Sequence, residues 1–248
     1  MLLGGKEFRD DSELDMPYFM SEMSQYQGKV GSASPAPILY QEAIESADEA
    51  YVVTLSQKLS GSYSNAVIGN AEATENGSRP ACLLDSKSAS AGETLIAIKL
   101  HELIQANMPM AQILPAIQKF INEMKTFFVL ENHDNLQKNG RLNKVTGSLI
   151  HLLNIKLIMG ANGNGEIALF EKCRGTKKMV QQLLGQIAKS GKDTQTENLV
   201  ISHCNNLGLA EEIVRCVHER FRFKEIFIVP TGGLSSLYVD DGGVVMAF

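Results

Sequence analysis

The stretch YVVTLSQKLSGSYSNA, residues 51–66, passes from an apolar, β-branched run through a serine- and glycine-rich turn into a helical pattern. Residues 51–55 read as a short buried strand. The helix is expected to begin around Ser60 to Ser62. A helix starting at the carboxyl end of a parallel strand leaves its first N–H groups without intrahelical partners, and its dipole is positive there. Such an end is suited to an anion. Gly61 allows a ligand close to the backbone, and serine hydroxyls add donors of adjustable direction. Three readings stay open for this loop. Ser60 or Ser62 caps the helix, the loop holds a negative charge, or one serine is a nucleophile. A nucleophile elbow reads G-x-S-x-G; this stretch does not, and no histidine stands in obvious partnership with it.

The alternation of strand and helix continues outward. ACLLD (81–85), FFVL (127–130), NLVIS (198–202) and EIFIVP (225–230) are short, mostly apolar runs bounded by polar or turn-forming residues, as buried strands are. Between them, Ile96, Leu100, Leu103 and Ile104 recur at helical spacing, as do Ile113, Ile117, Phe120, Ile121 and Met124. Pro115 must sit near that helix's start or bend it. Met179, Val180, Leu183, Leu184 and Ile187 form a third stripe, closed by Gly191; Ile213, Val214, Val217 and Phe221 form a fourth. Strands alternating with helices imply βαβ units and substantially parallel pairing. Residues 155–172 differ: two strand-like runs flank GANGNG, which reads as a hairpin or a mobile turn. The fold class expected is α/β in two domains. An α/β/α parallel-sheet domain covers roughly 1–127, and a second α/β domain with a mixed sheet covers 128–248.

With 248 residues, 44% apolar and 21% charged, the chain has an ordinary globular composition. A net charge of −5 and no basic run longer than Lys177–Lys178 argue against a nucleic-acid partner. No apolar run reaches the roughly 18 residues of a membrane span, and the N-terminus does not read as a signal peptide. The expected compartment is cytoplasmic. Cys82, Cys173, Cys204 and Cys216 are scattered without C-x-x-C spacing, and the five histidines are equally dispersed. Buried or inert thiols are expected, with no metal site and no cofactor.

Other polar stretches carry weaker signals. In GKVGSASPAP (28–37), Ser32 and Ser34 precede Pro35, so the chain there is extended or turning. Arg141 follows a glycine, and Arg174 precedes a lysine pair and a helix; isolated arginines are usually solvated or paired. Lys156 lies inside an apolar run, where snorkelling is the plain explanation. His203 stands just beyond a strand. Asp240 and Asp241 could bind a metal or act as acid and base, but DDGG is also a good turn.

Set in order, these pieces resemble the DegV family of bacterial lipid-binding proteins over nearly the whole chain. GKEFRDDSELDMPYFMSEM looks like the family's early strand and following helix. GSASP is similar to its Thr-Ser-Gln-Pro turn, with Ser32 in the threonine position. LSQKLSGSYSNA looks like its Ser-x-x-Leu-Ser-Gly-Thr-Tyr segment, the most specific match. LLDSKSASAG, LQKNGRLN, LLNIKLIMGANGNGEI and KCRGTKK are similar to its Asp-Ser-Lys, Leu-Lys-Lys-Gly-Gly-Arg, Leu-Asn-Ile-Lys-Pro and Lys-x-Arg-Gly runs. The resemblance implies two α/β domains with a long-chain fatty acid held between them and its tail in an apolar tunnel. It implies carboxylate binding by Ser32 and Ser60, with the Gly61 backbone nearby. Some members present the carboxylate to a partner fatty acid kinase, so the chain itself would be a carrier rather than an enzyme. Arg174 would face the carboxylate or the partner. Two departures stand out. Most members open with a strand ending in Thr-Asp-Ser, which this sequence does not contain, so the first strand of the family fold is expected to be absent. Many also carry His-x-Gly-Pro-Gly near their ends; here Tyr238 takes the histidine's place, which puts that position's role in kinase engagement in question. The rival expectation is a serine esterase or thioesterase using Ser60.

Overall fold

A computed structural model describes residues 1–142 and 155–248. Asn143 of LQKNGRLN and residues 152–154 of LLNIKLIMG lie outside the described residues. The chain divides into two compact units. One comprises Met1–Ser32, Lys125–Ala161 and Ile167–Phe248; the other comprises Ala33–Met124 and Asn162–Glu166. The units interleave along the sequence, unlike the consecutive division at 127/128 expected from strand order. The first 32 residues group with the C-terminal half for a packing reason. Leu3, Phe19, Met23 and Val30 share a core with Leu237.

The first unit is built on a six-stranded sheet. Its strands are β5 (Thr126–Val129), β6 (Ile155–Ala161), β7 (Ile167–Arg174), β8 (Asn198–His203), β9 (Glu225–Pro230) and β10 (Val244–Ala247), in spatial order β7-β6-β5-β10-β8-β9. Only β8 and β9 pair in parallel there; the other neighbours are antiparallel. The reason lies in the connections. β6 and β7 form the hairpin expected at GANGNG. β10 returns through a tight turn in which Asp240 and Gly242 adopt positive φ (60° and 86°) and inserts antiparallel between β5 and β8. Phe127, Val129, Leu199, Ile201, Val244 and Met246 alternate onto one face. The stripes of α7 (Thr176–Ser190) and α8 (Leu207–Arg220) cover that face. Each of these large side chains contributes roughly 1.5–3 kcal/mol on burial.

A small accessory cluster completes this unit. The two-residue strands β1 (Leu2–Leu3) and β2 (Lys6–Glu7) form a hairpin, and Leu2 bridges to Gly31. Helix α1 (Met16–Gln25) begins with Pro17 in its first turn and is capped by Asp15, whose carboxylate accepts from the Tyr18 N–H at 3.0 Å. Asp10 accepts from the N–H groups of Gly233 and Leu234 at 2.8 and 2.9 Å. It thereby closes the start of α9 (Gly233–Val239), the short helix that carries Tyr238. A short helix of this unit, α6 (Asp134–Lys138), follows β5.

The second unit has a two-stranded parallel sheet, β3 (Tyr51–Thr54) and β4 (Cys82–Asp85), in register Thr54 to Asp85. Helices α2 (Pro37–Glu45), α3 (Ser62–Glu75), α4 (Ala91–Gln105) and α5 (Met110–Glu123) accompany it. Leu84, Ile96, Leu100, Ile113, Ile117 and Ile121 form its core. Pro115 lies inside α5 rather than at its start. α4 opens with a capping box in which the Ser90 N–H donates to Glu93 at 3.0 Å. α2 and α3 pack closely at Gly69, where a Cβ would come within 2.4 Å of the Pro37 carbonyl oxygen.

Candidate functional site

The strand–loop–helix expected at 51–66 forms in the second unit. β3 ends at Thr54, and a turn over residues 57–59 leads to α3, whose first residue is Ser62. The N-cap position is Gly61, and no side chain caps it in the usual way. Ser60 stands in instead: its Oγ accepts from the Ser62 N–H at 3.2 Å and lies 2.9 Å from Ser62 Oγ. Ser62 is buried and hydrogen-bonds in turn to Tyr40 on α2. Burial pushes the Tyr40 phenol up, and this hydrogen bond pulls the other way. The result is a run of hydroxyls, Ser60, Ser62 and Tyr40, at the helix N-terminus, with Ser60 and Tyr40 half-buried and Ser62 buried. Ser60 has Ser62 as its side-chain partner rather than a histidine, so the geometry of a base-activated nucleophile is not present there.

The loop is held firmly. Ser56 is fully buried and donates from Oγ to the Gly165 carbonyl at 2.8 Å. Asp85 accepts from the N–H groups of Gln57 and Lys87 at 3.1 and 3.0 Å. Ser34, from the GSASP turn, lies over Gly61: a Cβ there would sit 3.5 Å from Ser34 Oγ. Asn65 Nδ2 donates to Ser34 Oγ at 3.0 Å and to the Pro35 carbonyl at 2.8 Å. The GSASP and LSQKLSGSYSNA stretches thus meet within this unit, at Ser34, Gly61 and Asn65.

In the first unit, Ser32 and Tyr238 come together from positions 206 residues apart, their hydroxyl oxygens 2.7 Å from each other. Both are half-buried. The Arg141 guanidinium lies over the Tyr238 ring, 5.4 Å from its centroid, and donates from Nη1 to the Asn139 carbonyl at 2.8 Å. Beside this group opens a cavity of about 460 Å³ whose walls include Tyr26, Lys29, Gly31, Ser32 and Asn139. Arg174 is placed elsewhere on the unit, exposed at the end of edge strand β7 and paired in register with Ile155.

Other candidates resolve into structural roles. Lys156 pairs with Glu131. His203 accepts from the Asn206 N–H at 3.3 Å beside the start of α8. Asp240 and Asp241 bond to Asn132 and Asn205 in a turn. The described residues hold no cluster of metal ligands. Cys82, Cys173 and Cys204 are buried, and burial pushes their thiols up. No described helix is long and apolar enough to cross a membrane. Sequence reasoning passed over Tyr40 and Asn65 and left Arg141 as an isolated cation. Only Arg141 carried a signal, its place in LQKNGRLN.

The DegV family model, described as a family of uncharacterised proteins, matches residues 1–248. The chain belongs to the DegV family. A DegV domain-containing protein of Streptococcus pneumoniae is 33% identical over 242 residues, covering 97% of this chain and 85% of the relative. Among solved structures, a DegV family protein from Ruminococcus gnavus, described with vaccenic acid, superposes with a TM-score of 0.95 at 36% identity. The match covers 100% of this chain and 89% of that one. The Streptococcus pneumoniae Fatty Acid Kinase (Fak) B3 protein, loaded with linoleic acid, has a TM-score of 0.93 at 32% identity, covering 99% and 87%. A DegV family protein from Eubacterium eligens, loaded with heptadecanoic acid, has a TM-score of 0.92 at 28% identity, covering 99% and 89%.

Proposed function

We propose that this DegV protein binds a long-chain fatty acid and does no chemistry on it. The observation that carries this reading is the ligand set of its relatives, vaccenic, linoleic and heptadecanoic acids in chains that match it over 99% or more of its length. The α3 N-terminus with its hydroxyl run is suited to a carboxylate. A buried carboxylate is costly unless hydrogen-bonded, and hydroxyls plus helix N–H groups supply charge-assisted bonds. The head-group contacts assigned are Ser60 and the Gly61 backbone, with a further hydroxyl from Ser32. Tyr238 enters through its bond to Ser32. An acyl tail gains about 0.8 kcal/mol per buried CH₂, so the tail dominates affinity and the head sets orientation.

The second step of the proposal is a partner. The likeness to the Fatty Acid Kinase B3 protein supports a carrier that offers its carboxylate to a cytoplasmic fatty acid kinase, with exposed Arg174 on the side that meets the kinase. The rival is hydrolysis by Ser60. Titration with palmitic acid and an assay with p-nitrophenyl palmitate separate the two. Saturable binding without ester turnover is expected, and Ser60→Ala weakens binding. Turnover that vanishes in Ser60→Ala would establish the esterase instead.

A further inference from the structure

The tip of the β6–β7 hairpin, Asn162–Glu166, groups with the second unit, although the strands on either side of it belong to the first. The tip is braced by one side chain. Asn162 Oδ1 accepts from the N–H groups of Asn164 and Glu166 at 2.9 and 3.0 Å, and the Asn162 carbonyl accepts from the Gly165 N–H at 3.0 Å. Gly165 adopts a φ of 81°, which suits glycine. A Cβ there would lie 2.4 Å from Ser56 Oγ and 2.9 Å from Lys87 Cα. Lys87 has a φ of 51°, an uncommon conformation for a residue with a side chain. The tip therefore fits closely against the loop after β3 and the turn after β4.

Ser56 joins these pieces. It is fully buried, and its polar groups are all engaged. Its N–H donates to the Ser88 carbonyl at 2.8 Å. Its carbonyl accepts from the N–H groups of Leu59 and Ser60 at 2.9 and 3.1 Å. Its hydroxyl donates to the Gly165 carbonyl at 2.8 Å and accepts from the Lys58 N–H at 3.2 Å. Three N–H groups of residues 58–60 thus hang on one residue, and the hairpin tip fixes that residue's side chain. We infer that Ser56 is a positioning residue for the lipid head group, and that the hairpin tip acts through it as a latch on the loop that presents Ser60. This rests on the fatty-acid reading above. A carboxylate gains from a donor only when the donor is aimed at it, so a loosened loop weakens the acid more than a lipid with a neutral head. A pin that serves only the fold predicts otherwise: lower stability with the preference for acid over alcohol unchanged.

The test is a titration of palmitic acid and hexadecanol against wild type, Ser56→Ala, Gly165→Ala, Ser60→Ala and the Ser56→Ala/Ser60→Ala double variant. Ser56→Ala is expected to weaken palmitic acid about threefold to tenfold and to change hexadecanol less than about twofold. In the Ser60→Ala background its effect on palmitic acid should shrink below about twofold, since the aimed hydroxyl is already gone. Gly165→Ala should reproduce the loss of preference from the hairpin side. Should either variant unfold, Asn162→Ala, which removes the brace of the tip and leaves Ser56 intact, gives the same comparison. Equal weakening of both lipids overturns the inference in favour of a fold pin. An undiminished effect in the Ser60→Ala background overturns it, because Ser56 would then act elsewhere. Wild type that binds neither lipid overturns the fatty-acid reading itself, and this inference with it.

Discussion

Ser60 has one proton and two roles available, cap and head-group donor. Its oxygen accepts from the Ser62 N–H, and its hydroxyl can turn between Ser62 and a ligand. Losing one hydrogen bond to a charged group costs about 1.5–3 kcal/mol, so Ser60→Ala is expected to raise the fatty-acid Kd by about 10- to 100-fold in a titration. An unchanged Kd would remove Ser60 from the head-group site. His133 gives a second residue-level expectation. It is buried between β5 and α6, and burial holds its pKa below the usual 6.5. Asp134 and Glu131 push the other way, while Lys156 reinforces the shift. The folded protein therefore takes up this proton less readily than the unfolded chain. Stability is present above about pH 6.5 and falls as pH drops below it. Urea midpoints measured from pH 7.5 to 5.5 should decline, and His133→Gln should flatten the slope; an identical slope would place the dependence elsewhere. At this scale motif order pointed to Ser32, Ser60, Gly61 and Tyr238 as candidates. It could not show that Tyr238 meets Ser32, because 206 residues separate them and nothing local encodes the contact.

The strands of both units were legible because buried strands are short apolar runs between turns. β9 spans Glu225–Pro230 as expected, and β8 extends one residue beyond expectation, to His203. The stripes of α7 and α8 were equally plain. Strand direction was not. β10 reads as one more apolar run, and only the chain reversal at Asp240–Gly243 makes it antiparallel between β5 and β8. α9 was missed because Gly232 and Gly233 disguise its start, and its N–H groups are held by Asp10 from the far end of the chain. At this scale the sharpest test is Gly69. The Pro37 carbonyl lies 2.4 Å from where a Cβ would be, so even alanine forces α2 away from α3. Gly69→Ala is expected to destabilise by about 1–3 kcal/mol, with the thermal midpoint lowered. A midpoint at or above wild type would mean that the two helices do not pack in this way.

At the scale of the whole molecule, ligand and stability are linked. A lipid that binds only the folded protein adds about 2.7 kcal/mol when its free concentration is 100 times Kd. For a chain of this length, each kcal/mol moves the midpoint by about 2–4 °C. Stripped protein should therefore melt about 5–10 °C below the same protein given palmitic acid, with a smaller shift for hexadecane, which has the tail and no head group. Equal midpoints with and without the acid would count against a bound lipid. The most direct measurement is the ligand itself. Protein purified from cells grown without added lipid is denatured, extracted with organic solvent and analysed by mass spectrometry, with total lipid carried through a mock purification as the control. The account predicts long-chain fatty acid approaching one equivalent per chain, enriched over the control and reduced in Ser60→Ala. Repeated recovery of none, together with no uptake of added palmitic acid by the folded protein, would contradict it.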